Sequence, residues 1–113
     1  MNDIYLYIYL DTSKKGNYVY GDLKFEYEPF YVGIGVTNRF RSHLFKSSLK
    51  INSPKTRRIK KILATGKEPH IIKLYENLNK NQAYHKEIEV IAKIGRQING
   101  GHLTNQTNGG DSA

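Results

Sequence analysis

The 113 residues predict an α/β domain, a small three-stranded antiparallel sheet flanked by helices in the order β–β–α–α–β–α. Three observations carry this prediction. Residues 4–10 (Ile-Tyr-Leu-Tyr-Ile-Tyr-Leu) alternate aliphatic and tyrosine side chains with the two-residue period of a strand. Residues 54–64 and 82–94 place apolar side chains at helical spacing between start and stop signals. No internal repeat, linker or change of composition divides the chain, so a single domain over 1–113 is expected.

Taken in order, the first strand is expected to break after Leu10. Asp11-Thr12-Ser13 interrupts the alternation, and Gly16 and Asn17 supply turn chemistry. A second extended stretch covers 24–32. Pro29 inside it has no N–H to donate, which demands an edge strand or a bulge. The two stretches read as an antiparallel hairpin with a long, irregular connection, and Gly33-Ile34-Gly35 ends the second strand. A helix is expected over 38–49, then a basic helix over 54–64 with Ser53 as N-cap, Pro54 in its first turn and Gly66 as its stop. Residues 69–75 read as the third strand. Asn79 or Asn81 caps the last helix, over 82–94, which Gly95 terminates. The tail, 103–110, is polar and glycine-rich, and its composition alone marks it as a flexible end.

Composition narrows the function. With no cysteine, disulfides, thiolate catalysis and cysteine zinc sites are excluded. No run of about 18 apolar residues occurs, and the first residues lack a basic segment followed by an apolar one, so neither a membrane span nor a secretory signal is expected. The net charge of +8 and a pI near 9.7 suit a polyanionic partner, because cations placed on phosphates release condensed counterions. The charge is concentrated over 54–64, where Lys55, Arg57, Arg58, Lys60 and Lys61 surround an inner stripe of Ile59, Ile62 and Leu63. Such a face can bind a nucleic-acid backbone, or simply be wet.

The last helix holds the most informative residue. Ala83, Tyr84, Ile88, Val90, Ile91 and Ile94 project onto one broad apolar face, and Glu87 lies near its middle. A carboxylate moved into apolar surroundings is costly unless a cation, a metal or a set of donors meets it. An ion pair with an arginine is the structural reading; a divalent cation held by oxygen ligands is the functional one. Arg39 and His43, four residues apart, share a face of the expected 38–49 helix. They offer a phosphate fork and a proton-transferring ring, with a solvated face as the structural alternative and Arg41 as a competing arginine. His70, His85 and His102 form no metal-ligand spacing.

Three segments together resemble the GIY-YIG nuclease family. Tyr31-Val32-Gly33 is similar to the second half of the signature, and Arg39 and His43 follow it as the family's arginine and its histidine or tyrosine four residues later. Ala83-Tyr84, Glu87 and Ile91 resemble the helix that carries the metal-binding glutamate. Leu103-Thr104-Asn105 with Gly109-Gly110 resembles the terminal segment bearing a structural or catalytic asparagine. The chain departs from the family in its first half-signature, which is not Gly-Ile-Tyr. That tyrosine must be Tyr5, Tyr7 or Tyr9; Tyr7 is preferred because Asp11 then falls where a polar residue closes the strand. The excess separation of the two signature tyrosines, 11–22, reads as a lengthened hairpin connection.

The resemblance implies a GIY-YIG-like fold and a divalent-metal-dependent DNA endonuclease of homing or phage type. Glu87 would hold one Mg²⁺ or Mn²⁺ at the scissile phosphate, and Arg39 would bind a non-bridging oxygen. Tyr7 or Tyr31 would orient or deprotonate the attacking water, with His43 as proton acceptor or positioner. Asn105 would fix the site by hydrogen bonding, and the tail would then be ordered. DNA would be held mainly through its phosphates. One site per chain implies a transient homodimer on DNA or successive nicks for a double-strand cut. The expected location is the cytoplasm of a bacterial or phage-infected cell. The rival reading is a nucleic-acid-binding module of the same fold that does not cleave.

Overall fold

The computed structural model describes residues 3–110. Strand β1 (Ile4–Tyr20) pairs antiparallel with β2 (Leu23–Gly35) on one side and β3 (His70–Leu78) on the other, giving the sheet order β2–β1–β3. A 3₁₀ turn (Arg39–Leu44) and a short helix α1 (Lys46–Leu49) follow β2. Helix α2 (Pro54–Ala64) precedes β3, and α3 (Lys80–Ile94) follows it. The predicted three-stranded antiparallel α/β architecture is therefore present.

Its organising element is the alternation in β1. Leu6, Ile8 and Leu10 project to one side, where they join Val32, Leu103 and the α3 residues Val90, Ile91 and Ile94. Tyr5, Tyr7 and Tyr9 project to the other, against Phe30 and the α2 residues Ile59 and Ile62. Burying each such side chain is worth about 1.5–3 kcal/mol. A one-residue slip would exchange the two sets, so burial on both faces pins the register.

The strand does not break at Asp11. It continues to Tyr20 and reverses through Gly21-Asp22, with Gly21 at φ +62, where a two-residue hairpin turn takes glycine. The surplus residues are absorbed as register shifts between Asp11 and Lys15 and between Lys15 and Tyr18. Residues 13–17 are exposed, which makes their polarity harmless to the ribbon. Leu23 and Phe25 anchor its far end in the aliphatic core. Pro29 sits on the edge strand at a register shift, where Tyr9 faces Tyr31 and Leu10 faces Pro29. Phe30 is the extra residue of that bulge, and both it and Tyr31 pack in the tyrosine layer.

The helix expected over 38–49 is two pieces separated by Phe45, which is extended (ψ 147) and 59% exposed. Neither piece fully buries a residue; Phe40, Leu44 and Leu49 pack only partly against the tyrosine layer, which gives a regular helix little support. The backbone groups are also claimed elsewhere. Tyr5 Oη accepts from Phe40 N–H at 3.0 Å, and Tyr9 Oη donates to the Phe40 carbonyl at 2.5 Å. Helix α2 follows its signals, with Ser53 accepting from Thr56 N–H. Asn79 caps α3 reciprocally with Gln82, and Gly95 (φ +90) ends it. Strand β3 runs three residues past the expected 75, to Leu78, with Asn77 at φ +59 beside a register shift. On α3, Ile88 is exposed rather than part of the buried face.

Composition misjudges the tail, which is ordered to Gly110, as the family resemblance implies. Leu103 is fully buried, and its N–H donates to the Gly95 carbonyl. Both the N–H and the hydroxyl of Thr104 donate to the Phe30 carbonyl at 2.7 Å. Asn105 accepts from Val32 N–H at 3.0 Å and donates Nδ2–H to the Val32 carbonyl at 2.8 Å. The segment thus covers the open edge of β2. Among the described residues no helix is long and apolar enough to cross a membrane.

One polar cluster ties α2 to the sheet. Arg58 donates to Asp11 at 2.9 Å and to Glu28 at 2.8 Å, and its guanidinium lies over the Phe30 ring. The Arg58, Asp11 and Glu28 side chains are only 15%, 2% and 13% exposed. Removing Arg58 would leave carboxylates unpaired inside the fold, so Arg58→Ala should cost about 3–5 kcal/mol in urea unfolding. Arg41→Ala, which breaks the exposed pair with Glu68, should cost less than about 1 kcal/mol. Equal losses would show that the Arg58 cluster does not clamp α2.

Candidate active site

A cavity of about 510 Å³ opens along the last residues of β2, lined by Tyr7, Tyr31, Arg39, His43, Tyr84 and Glu87 among others. Glycine makes room for it. Gly33 lies opposite Tyr7 in the sheet, and a Cβ there would come within 2.5 Å of the Tyr7 ring at Cζ. The third letter of Tyr31-Val32-Gly33 is therefore a close-approach position that lets the Tyr7 ring lie across β2.

The three tyrosines of β1 divide the work. Tyr5 donates to the Thr37 carbonyl at 2.9 Å, and Tyr9 to that of Phe40. Together they hold the 3₁₀ turn against the sheet and so set where Arg39 and His43 stand. Only Tyr7 lines the cavity, with its Oη 2.8 Å from His43 Nε2. Of the three candidates for the first signature tyrosine, Tyr7 is the one that lines this cavity and whose hydroxyl meets the His43 side chain, although the Tyr9 ring also packs edge-on to His43 and Tyr31. Tyr31, opposite Tyr9, packs edge-on to His43 with ring centroids 4.9 Å apart. Burial pushes the Tyr7 and Tyr31 hydroxyls above the ordinary phenol range, with Tyr31 adding to the rise at Tyr7 and Glu87 to both.

Arg39 is exposed at the cavity wall and pairs with no described carboxylate, whereas Arg41 lies outside the cavity and pairs with Glu68 at 3.2 Å. In a 3₁₀ turn residues three apart eclipse, so Arg39 and His43 do not share a face as a helix would place them. They meet at the cavity because the turn wraps one end of it.

Glu87 is 8% exposed and sits at the cavity wall among apolar neighbours. Burial raises its carboxyl above the usual range, while the Gly110 N–H, donating to Oε1 at 2.8 Å, pulls the other way. Gly110 is at φ +69 and Gly109 at φ +92, a backbone path that turns the N–H inward at little cost only for glycine. No described cation pairs with Glu87, which removes the arginine ion pair from its possible explanations within the described residues. No group of three or more potential metal-binding side chains exists among the described residues. A single buried carboxylate beside an open cavity could hold Mg²⁺ or Mn²⁺, since Mg²⁺ typically keeps waters and takes one or two carboxylates plus substrate oxygens. Glu87 would be the protein ligand.

Asn105 stands apart from the Tyr7 cavity. It lines a neighbouring one of about 320 Å³, with which the first shares Tyr31 and Glu87, and its amide is committed to Val32. Through those bonds it seats the tail that carries Gly110.

Lys55 escapes the sequence reading. It counts there as one of several cations, yet its Nζ lies 2.9 Å from His43 Nδ1 and 4.7 Å from the centre of the Tyr31 ring. Its position beside Pro54 in the first, inward-facing turn of α2 was the available signal.

The chain matches the family model of the LEM-3-like GIY-YIG domain over residues 4–112. It belongs to the GIY-YIG nuclease family. No curated protein and no solved structure gives a significant match. Membership implies endonuclease activity and a nucleic-acid substrate.

Burial and the Lys55 cation lower the His43 pKa to about 4. The ring is therefore neutral at pH 7, and the unfolded chain binds its proton first as pH falls. Stability tied to His43 is full above about 6.5 and is lost between there and about 4. Urea unfolding should show wild type losing more stability across that window than His43→Gln. Equal losses would mean that His43 titrates as though exposed.

Proposed function

We propose that the chain is a divalent-metal-dependent endonuclease that hydrolyses DNA phosphodiester bonds at the Tyr7–Glu87 cavity. The observation that carries this reading is Glu87, a buried carboxylate without a described cation, on the same cavity as Arg39 and the Tyr7–His43 pair. In this reading Glu87 binds Mg²⁺ or Mn²⁺ and Gly110 N–H holds one carboxylate oxygen in place. When bound, the ion supplies Lewis acidity toward the phosphoryl and leaving oxygens. Arg39, free at the rim, binds a non-bridging oxygen and offsets charge in the transition state. Tyr7, whose hydroxyl is tied to His43, orients the attacking water.

The exposed Arg57, Lys60 and Lys61 of α2 suit contact with DNA phosphates without reading sequence. Nothing in the family match favours a homing or phage type, because the matching model is the LEM-3-like one. With one such cavity per chain, a double-strand cut needs two copies or two successive nicks.

Nicking of supercoiled plasmid with and without Mg²⁺ tests the reading. Wild type should nick only with the ion, and Glu87→Gln should keep its fold and DNA affinity while losing nicking. Full activity in Glu87→Gln would remove the central claim. Wild type that binds DNA but never nicks would favour the non-cleaving module. Among the arginines, Arg39→Ala should lower the nicking rate about 10²–10³-fold, and Arg41→Ala far less. The reverse order would place the phosphate-binding arginine at 41.

A further inference from the structure

We propose that Lys55 is a positioning residue that keeps the ring hydrogen of His43 on Nε2, so that the imidazole donates to the Tyr7 oxygen. The catalytic consequence rests on the nuclease reading above, but the tautomer itself is a property of the unliganded chain.

Lys55 Nζ lies 2.9 Å from His43 Nδ1, and a lysine ammonium has three hydrogens and no lone pair. Nδ1 must then be the acceptor. A neutral imidazole carries one N–H, which is left for Nε2. Nε2 is 2.8 Å from Tyr7 Oη, so the ring donates and the phenol oxygen accepts. The Tyr7 hydrogen is then free to point elsewhere. The depressed basicity of His43 agrees with a ring that stays neutral while facing a cation.

The placement of Lys55 is unfavourable unless it has such a task. It lies in the first turn of α2, where the helix dipole disfavours a cation, and it is half-buried with no salt bridge to a described carboxylate. What it does contact is the His43 ring edge and the Tyr31 ring face. The chain Lys55–His43–Tyr7 thus ends in a phenol oxygen that receives an N–H, which fixes the Tyr7 hydroxyl and leaves its own hydrogen to donate toward the cavity. His43 serves Tyr7 as donor and does not take its proton.

Two-bond ¹H–¹⁵N correlation spectra of histidine-labelled protein at pH 7 test this, with His43 assigned by the signals lost in His43→Gln. Wild type should show a protonated Nε2 and an unprotonated Nδ1. Lys55→Met should shift the population toward Nδ1–H and lower Mg²⁺-dependent nicking on the order of 10²-fold. Lys55→Arg, which also donates only, should keep the wild-type tautomer and recover most of the rate. An Nδ1–H tautomer in wild type overturns the proposal, as does an unchanged tautomer in folded Lys55→Met. Should Lys55→Met not fold, the wild-type and Lys55→Arg spectra decide. A wild type with the expected tautomer and no nicking overturns the nuclease reading and upholds the assignment of Lys55.

Discussion

Strand β1 is buried on both faces, so every residue from Tyr5 to Leu10 is committed to one of two cores. The aliphatic side holds α3 and the tyrosine side holds α2 and the 3₁₀ turn. Because tyrosine has a polar tip, the second face does more than fill space. Two of its hydroxyls take backbone groups of the turn, and the third meets His43. Positions 5, 7 and 9 therefore convert a packing pattern into the placement of a functional loop. Loss of the β1 register would move Tyr7, Arg39 and His43 together.

The site joins groups whose local energies are individually poor. Glu87 is a carboxylate with one backbone donor, and Lys55 is a cation at the positive end of a helix. Burial disfavours the charged form of both, and of His43 as well. The paired charges of Arg58, Asp11 and Glu28 lie elsewhere and are satisfied within the fold. Charges that hold the protein together are thus matched, and those facing the cavity are left with capacity for a ligand.

Much of this was legible from residue pattern. The alternation of β1, the caps of α2 and α3, the edge position of Pro29 and the place of Glu87 on the apolar face of α3 all follow from local rules that tertiary contacts leave intact. What was not legible depends on long-range partners. Asp11 looks like a strand breaker until Arg58, 47 residues away, is known to meet it. The 38–49 segment has helical spacing, but Tyr5 and Tyr9 claim the backbone of Phe40. Lys55 was indistinguishable by type from its exposed neighbours, because only the location of His43 gives it a role. The tail was misjudged from composition for the same reason: its glycines serve backbone geometry at Glu87 rather than flexibility.

The seating of that tail has a kinetic consequence. Thr104 and Asn105 close the edge of β2 across 74 and 73 residues of sequence, and Gly110 completes the surroundings of Glu87. Contacts this distant form late, because the chain must first lose the entropy of the intervening loop. A partly folded chain can hold the hairpin and its tyrosines, yet its glutamate has neither its donor nor its wall. Completion of the cavity is thereby coupled to the docking of the tail.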